Sequence, residues 1–273
     1  MSLEIPGYEH PRPRQVPLET IEALAYNCTK CELCMTRNHV VFGEGNPHAR
    51  VMLIGEAPGA NEDLQGKPFV GAAGKNLDGI LSRAGINRDE IYIANILKCR
   101  PPANRDPRPE ETLVCTPFLR EQIRSIWPDI IVTMGNPATH FVLKTERGIT
   151  KLRGQFYRTG HFLVMPTLHP AAAKRNPKWQ TMIEEDFGML GSYLRNHPAN
   201  LPITENHPYQ KTVLHELARE TTDAQDGDTP IAEVSTVQSR RILEQYEQAR
   251  QTSLYLDVTD TNSNICEKEE NGN

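Results

Sequence analysis

The sequence predicts an α/β domain built on a mainly parallel sheet, and three observations lead there. Four short apolar runs, "RVMLIG", "IYIANIL", "PDIIVTMG" and "HFLVMPTLHP", read as buried strands. Segments with helical apolar spacing lie between them, the alternation expected of layered α/β folds. Each run passes into a loop, beginning at Gly55, Asn95, Gly135 and His169, and in such folds those loops form the site.

Taken in order, the first 16 residues are rich in proline and charge and predict a loose arm. "PLETIEALAYNC" has helical spacing, starting near Leu18 or Thr20. "RVMLIG" runs into a glycine-rich loop. "AGKNLDGILSRAG" places Leu77, Ile80, Leu81 and Ala84 on one helical stripe, stopped by Gly85 as a C-cap. "PRPEETLVCTPFLREQIRSIW" opens with proline and glutamate as helix starts do, and Pro117 inside it predicts a kink or break. "NPATHFVLK" reads as a short helix and "KWQTMIEEDFGMLGSYLRN" as the helix that closes the body. Residues 17–200 therefore form the predicted domain. Residues 201–273 are polar and predict a largely disordered extension, with one helix over "VSTVQSRRILEQYEQARQ".

Charge divides the 273 residues the same way. Residues 201–273 carry 14 acidic and 6 basic side chains, whereas residues 1–200 carry 21 acidic and 24 basic. The overall −5 thus combines a mildly basic body, compatible with a polyanionic partner, with an acidic tail that could serve a protein partner. No apolar run approaches the ~20 residues of a membrane span, and the opening residues lack a signal-peptide segment. The expectation is a cytoplasmic protein without membrane contact, acting as a monomer. In a reducing compartment clustered cysteines are metal ligands or catalytic groups more often than disulfides.

Six cysteines occur: Cys28, Cys31, Cys34, Cys99, Cys115 and Cys266. A C-x-x-C pair lets two thiolates reach one metal from a tight turn. Cys28 and Cys31, completed by Cys99 and Cys115, give four thiolates for zinc or an iron–sulfur cluster. Cys34 competes for a place, and any of the set could instead be a small buried residue. A thioredoxin-type redox pair fits less well, because "NCTKC" precedes the first strand of the α/β region.

The loop "GEAPGANEDLQGKPFVGAAGKNL" holds five glycines, three carboxylates and one phenylalanine. It is neither a dinucleotide fingerprint nor a P-loop, because the required glycine spacing and the G-K-[ST] ending are missing. It reads as a ligand loop with acids and one aromatic platform, or else as a structural turn with solvated acids.

"GEAPGANEDLQGKPFVGAAG", "NILKCRPPANRDPRPEE" and "HPAAAKRNP", with "NCTKC" and "VVFGEGNP" upstream, resemble in order and spacing the family 4 uracil-DNA glycosylases. The resemblance covers about residues 18–197. It implies a three-layer α/β/α fold around a central four-stranded parallel sheet. It also implies a structural 4Fe–4S cluster on Cys28, Cys31, Cys99 and Cys115, with zinc the lesser alternative and Cys34 an extra thiol. The implied activity is DNA repair: uracil is flipped from single- or double-stranded DNA and its N-glycosidic bond hydrolysed, leaving an abasic site.

The same resemblance implies a role for each site residue. Phe69 stacks on the base beside Ala57, and Asn95 reads its Watson–Crick edge, donating to O4 and accepting from N3–H. His169 hydrogen-bonds O2 as a neutral donor while negative charge develops. Glu56 stabilises the oxocarbenium-like sugar and orients water, assisted by Glu62, while Asp63 is structural. Lys174 and Arg175 face DNA within a basic stretch that includes Lys151, Arg153, Arg158 and Lys178. Where relatives carry bulky apolar wedges, this chain has Ala172, Ala173 and Lys174, which predicts weak wedging and a preference for single-stranded or mismatched uracil. Two other readings compete: a non-catalytic iron–sulfur or zinc module that binds nucleic acid, and the relative that becomes covalently trapped on uracil sites. The second needs a nucleophilic histidine that "KCRPPANRDPRPEE" lacks.

Overall fold

A computed structural model describes residues 16–159, 162–196 and 203–204. The expected arm, except for residue 16, lies outside the described residues. So do Cys266 and the extension with its helix, apart from residues 203–204.

The described helices are α1 (Leu18–Tyr26), α2 (Ala60–Gln65), α3 (Ala72–Ala84), α4 (Pro109–Ile126), α5 (Asn136–Leu143), α6 (Ile149–Leu152) and α7 (Pro177–Asn196). The strands are β1 (Glu44–Gly45), β2 (Val51–Gly55), β3 (Tyr92–Asn95), β4 (Ile130–Met134), β5 (Phe156–Thr159), β6 (Phe162–Thr167) and β7 (Ile203–Thr204). They form one sheet in the order β1-β3-β2-β4-β6-β5-β7. Its centre, β3-β2-β4-β6, is the four-stranded parallel sheet expected. Antiparallel β1 extends one edge; β5, antiparallel to β6, extends the other, with β7 beyond it.

Every residue of β2, β3, β4 and β6 is buried, because helices cover both faces. Met52, Ile54, Ala94, Ile131 and Val164 pack with α1, α4 and α5 on one face. Val51, Leu53, Ile93, Val132 and Met165 pack with α3 and α7 on the other. That is the three-layer arrangement. No helix among the described residues is long and apolar enough to cross a membrane.

Local chemistry explains the helix ends. Gly85 takes φ +69° and closes α3, and Arg195 Nη1 donates to the Ala84 carbonyl at 2.8 Å. Glu111 accepts from the Arg108 N–H at 2.8 Å at the start of α4, where Pro109 occupies the first turn. Pro117 does not break this helix. Thr116 Oγ1 donates to the Leu113 carbonyl at 3.2 Å, the acceptor that the missing Pro117 N–H would have used. Because the four central strands are parallel, Gly55, Asn95, Gly135 and His169 emerge at the same edge of the sheet.

Candidate active site and cysteine cavity

Asn95 ends β3 beside Gly55, which ends β2, in parallel register. It is 2% exposed, and among the described residues its Oδ1 has no hydrogen-bond partner. Buried polar atoms are nearly always paired, so an orphan acceptor marks a place where a donor belongs. A Cβ built on Gly55 would meet Asn95 Oδ1 at 2.4 Å and Phe69 Cζ at 2.8 Å. The amide and the aromatic ring therefore flank one point, and glycine is what lets them approach it.

Phe69 holds a positive φ of 52°, unusual for a bulky residue and maintained only by surrounding contacts. Arg88 Nη2 donates to the carbonyls of Pro68 at 3.1 Å and Phe69 at 3.3 Å. Glu62 Oε1 accepts from the N–H groups of Val70 at 3.0 Å and Gly71 at 2.7 Å. The ring of His169 lies 5.6 Å from that of Phe69, tilted by 33°. Phe69 from the loop after β2, Asn95 from the end of β3 and His169 from the turn after β6 are thus brought together.

The two acids have different surroundings. Glu62 is engaged by the backbone that shapes the Phe69 loop, at the start of α3 where a carboxylate also meets the helix dipole. Glu56 is half-buried, and among the described residues its carboxylate accepts no hydrogen bond. Burial and, to a smaller extent, the charge of Asp106 hold its carboxyl above the usual carboxylate range. Ala57 follows it, half-buried against the α1–α4 layer. Asp63 is buried and bonds the Asn38 N–H at 2.9 Å and the Asn38 side-chain amide at 2.5 Å. It ties α2 to the segment that follows the N-terminal cysteines.

His169 is partly exposed, yet protein packs round it closely enough that desolvation pushes its pKa down to about 4. Its Nδ1 accepts from the Ala171 N–H at 3.1 Å. That bond places the ring proton on Nε2, leaving a neutral donor. The following turn, Pro170–Lys174, is clamped by Asn76, which donates to the Pro170 carbonyl at 3.1 Å and to Gln180 Oε1 at 2.9 Å. Lys174 and Arg175 are exposed on this turn, while Ala173 packs against the core. Arg153, grouped with them in sequence, is elsewhere engaged: Nη2 meets Asp186 Oδ1 at 2.7 Å and Nε meets Oδ2 at 3.0 Å.

Five cysteines, not four, line one cavity between α1, α4 and the β3–α4 connection: Cys28, Cys31, Cys34, Cys99 and Cys115. None is in a disulfide. Burial pushes the Cys31 thiol up to about 11 and that of Cys115 up to about 12, and it raises Cys99 as well. Such thiols ionise when a bound metal supplies positive charge. Among the described residues no three His, Cys, Asp or Glu side chains are grouped closely enough to hold a single ion. An all-thiol wall of this kind is a donor set that suits zinc or an iron–sulfur cluster. Arg37 Nη1 lies 3.3 Å from Cys99 Sγ and 2.9 Å from the Cys28 carbonyl. Arg37 and the buried Lys98, both on the wall, were not singled out from sequence. A lysine inside the apolar run "IYIANILKC" was the available signal for Lys98.

A family profile described as the uracil DNA glycosylase superfamily matches residues 42–188. A type-4 uracil-DNA glycosylase of Saccharolobus solfataricus is 45% identical over 193 residues, covering 67% of this chain and 89% of that protein. One from Sulfurisphaera tokodaii is 45% identical over 179 residues, 62% of this chain and 81% of its own length. One from Archaeoglobus fulgidus is 40% identical over 182 residues, 64% and 92% of the two lengths. With that similarity spanning every strand-end loop of the site, this chain belongs to the uracil-DNA glycosylase superfamily and, within it, to the type-4 uracil-DNA glycosylases.

Proposed function

We propose that this chain excises uracil from DNA by hydrolysing the N-glycosidic bond, with residues 17–200 as the catalytic unit. The observation that carries the reading is the buried, unpartnered Oδ1 of Asn95 beside the Phe69 ring. Uracil offers an N3–H donor to that oxygen and an O4 acceptor to the amide nitrogen; cytosine reverses both groups. The flat base, flipped from the stack, lies on Phe69 next to Ala57.

Cleavage breaks the bond between the sugar C1′ and uracil N1, and the electron pair leaves with the base. Nε2–H of His169 donates to uracil O2, where part of that charge collects. A neutral imidazole suits this, since it already holds its proton at physiological pH. Glu56, with no competing hydrogen bond among the described residues, faces the cationic sugar and orients the water that adds to C1′; the water's proton neutralises the departing uracil anion. Glu62 acts through the Phe69 loop. Lys174 and Arg175 meet phosphate.

We assign the cavity a 4Fe–4S cluster held by Cys28, Cys31, Cys99 and Cys115, with Cys34 beside it. When bound, such a cluster cross-links the N-terminal segment to α4 and takes no part in bond cleavage. Buried free thiols also suit a reducing, cytoplasmic setting, and we take the active form to be a monomer.

The test is release of free uracil from uracil-containing oligonucleotides, single-stranded and in U·G and U·A pairs. The purified protein is assayed in parallel for iron, acid-labile sulfide and zinc. Release is expected, fastest on single-stranded or mismatched substrate, and Asn95→Ala or His169→Ala should lower it at least about 100-fold. No release by iron- and sulfide-loaded protein would overturn the assignment.

A further inference from the structure

Lys98 lies between the two sites. It is 2% exposed, three residues past Asn95 and next to Cys99. Its Nζ donates to the Asn95 main-chain carbonyl at 2.8 Å and to Gln122 Oε1 at 2.5 Å. Gln122 is itself fixed, its Nε2 donating to the Phe42 carbonyl at 2.9 Å and the Tyr92 hydroxyl at 3.2 Å. On the other side, the Lys98 main-chain N–H donates to Cys115 Sγ at 3.2 Å, and the side chain lines the cysteine cavity.

The acceptors round this ammonium are neutral. Among the described residues no carboxylate forms an ion pair with Lys98. Burial works against the charge on this lysine and lowers its pKa, so the charged form calls for negative charge nearby. The cavity wall it occupies is where four thiolates on a 4Fe–4S core would leave net negative charge. The same ammonium grips the main chain at the residue whose side chain reads the base.

We propose that Lys98 is a positioning residue shared by both sites: its ammonium is the counter-charge of the cysteine-bound cluster, and its bond to the Asn95 carbonyl holds the base-reading amide in place. The second half rests on the proposed reading of Asn95; the first does not. A nearby cation favours the reduced, more negative state of a cluster, so losing it should make reduction harder.

Lys98→Met keeps the length and removes the charge and both bonds. In iron- and sulfide-loaded protein, voltammetry should show a midpoint potential more negative than the parent's. Uracil release should show kcat lowered about tenfold or more, with KM within threefold. Lys98→Arg keeps the charge but puts a longer, planar head where the compact ammonium sat, so its potential should stay near the parent's while kcat falls; Lys98→Gln, which also removes the charge, replaces Lys98→Met if that variant does not fold. An unchanged potential in Lys98→Met, an equal shift in Lys98→Arg, or a parent without a cluster overturns the counter-charge. Unchanged kcat in Lys98→Met where Asn95→Ala loses activity overturns the positioning role. A parent that releases no uracil defeats the reading of Asn95 itself, and the potential still decides the first half.

Discussion

Replacing Gly55 by alanine should misplace the base-reading amide while leaving the protein folded. The new Cβ would stand 2.4 Å from Asn95 Oδ1, 2.8 Å from Phe69 Cζ and 3.0 Å from Phe69 Cε2. Carbon–heavy-atom contacts become comfortable near 3.4 Å, so the amide must retreat by about 1 Å, and the ring by about half that. A displacement of about 1 Å at a reacting constellation costs on the order of 100-fold in rate. Overpacking one methyl into a tight site costs roughly 1–3 kcal/mol of stability. For a domain of this size that lowers the melting temperature by about 2–12 °C. The assay is kcat/KM for uracil release from a single-stranded oligonucleotide, with thermal unfolding alongside. Gly188→Ala is the control. It lies exposed in α7 with nothing within 4 Å of its Cβ position, and should keep full activity and gain about 0.5–1 kcal/mol. If Gly55→Ala keeps kcat/KM within threefold of the parent, Asn95 and Phe69 do not form the base site as argued.

Two further outcomes separate roles within the site. Glu62→Gln retains an oxygen for the Val70 and Gly71 N–H groups and should keep activity within about fivefold, whereas Glu62→Ala orphans two donors and should cost roughly 1–3 kcal/mol and most of the activity; equal losses in both variants would give Glu62 a charge role instead. His169 titrates near 6.5 when unfolded and about 4 when folded, so the unfolded chain binds more protons between those values. The stability from its neutral form is therefore complete above about pH 6.5 and lost as pH falls toward about 4. Urea unfolding at pH 7, 5.5 and 4.5 should show the parent losing more stability than His169→Asn; parallel losses would mean that His169 is not desolvated.

The four central strands were legible because each is buried on both faces and so reads as an unbroken apolar run, ended by the residue that opens a site loop. The edge strands were not. Glu44–Gly45 and Ile203–Thr204 have two residues each, and Phe156–Thr159, next to the edge, is fully buried only over its first two residues. Helix α2, six residues inside a glycine-rich loop, is too short to show a period. Pro117 signalled a break that Thr116 averts by supplying the missing donor.

Phe69, Asn95, His169 and the cysteines Cys28, Cys31, Cys99 and Cys115 were expected from sequence because motif order, strand ends and the family resemblance pointed to them. What each does with its atoms depended on partners far along the chain. Glu62 is held eight and nine residues away, Arg153 turns to Asp186 on α7, and Cys34 shares a cavity with Cys115. Local pattern carries the period of a strand or helix and the identity of a loop residue, because both depend on neighbours in the chain. Whether a carboxylate is free or engaged, and which carbonyl and amide a buried lysine bonds, depends on which distant atoms packing brings within about 3 Å, and that only the tertiary structure decides.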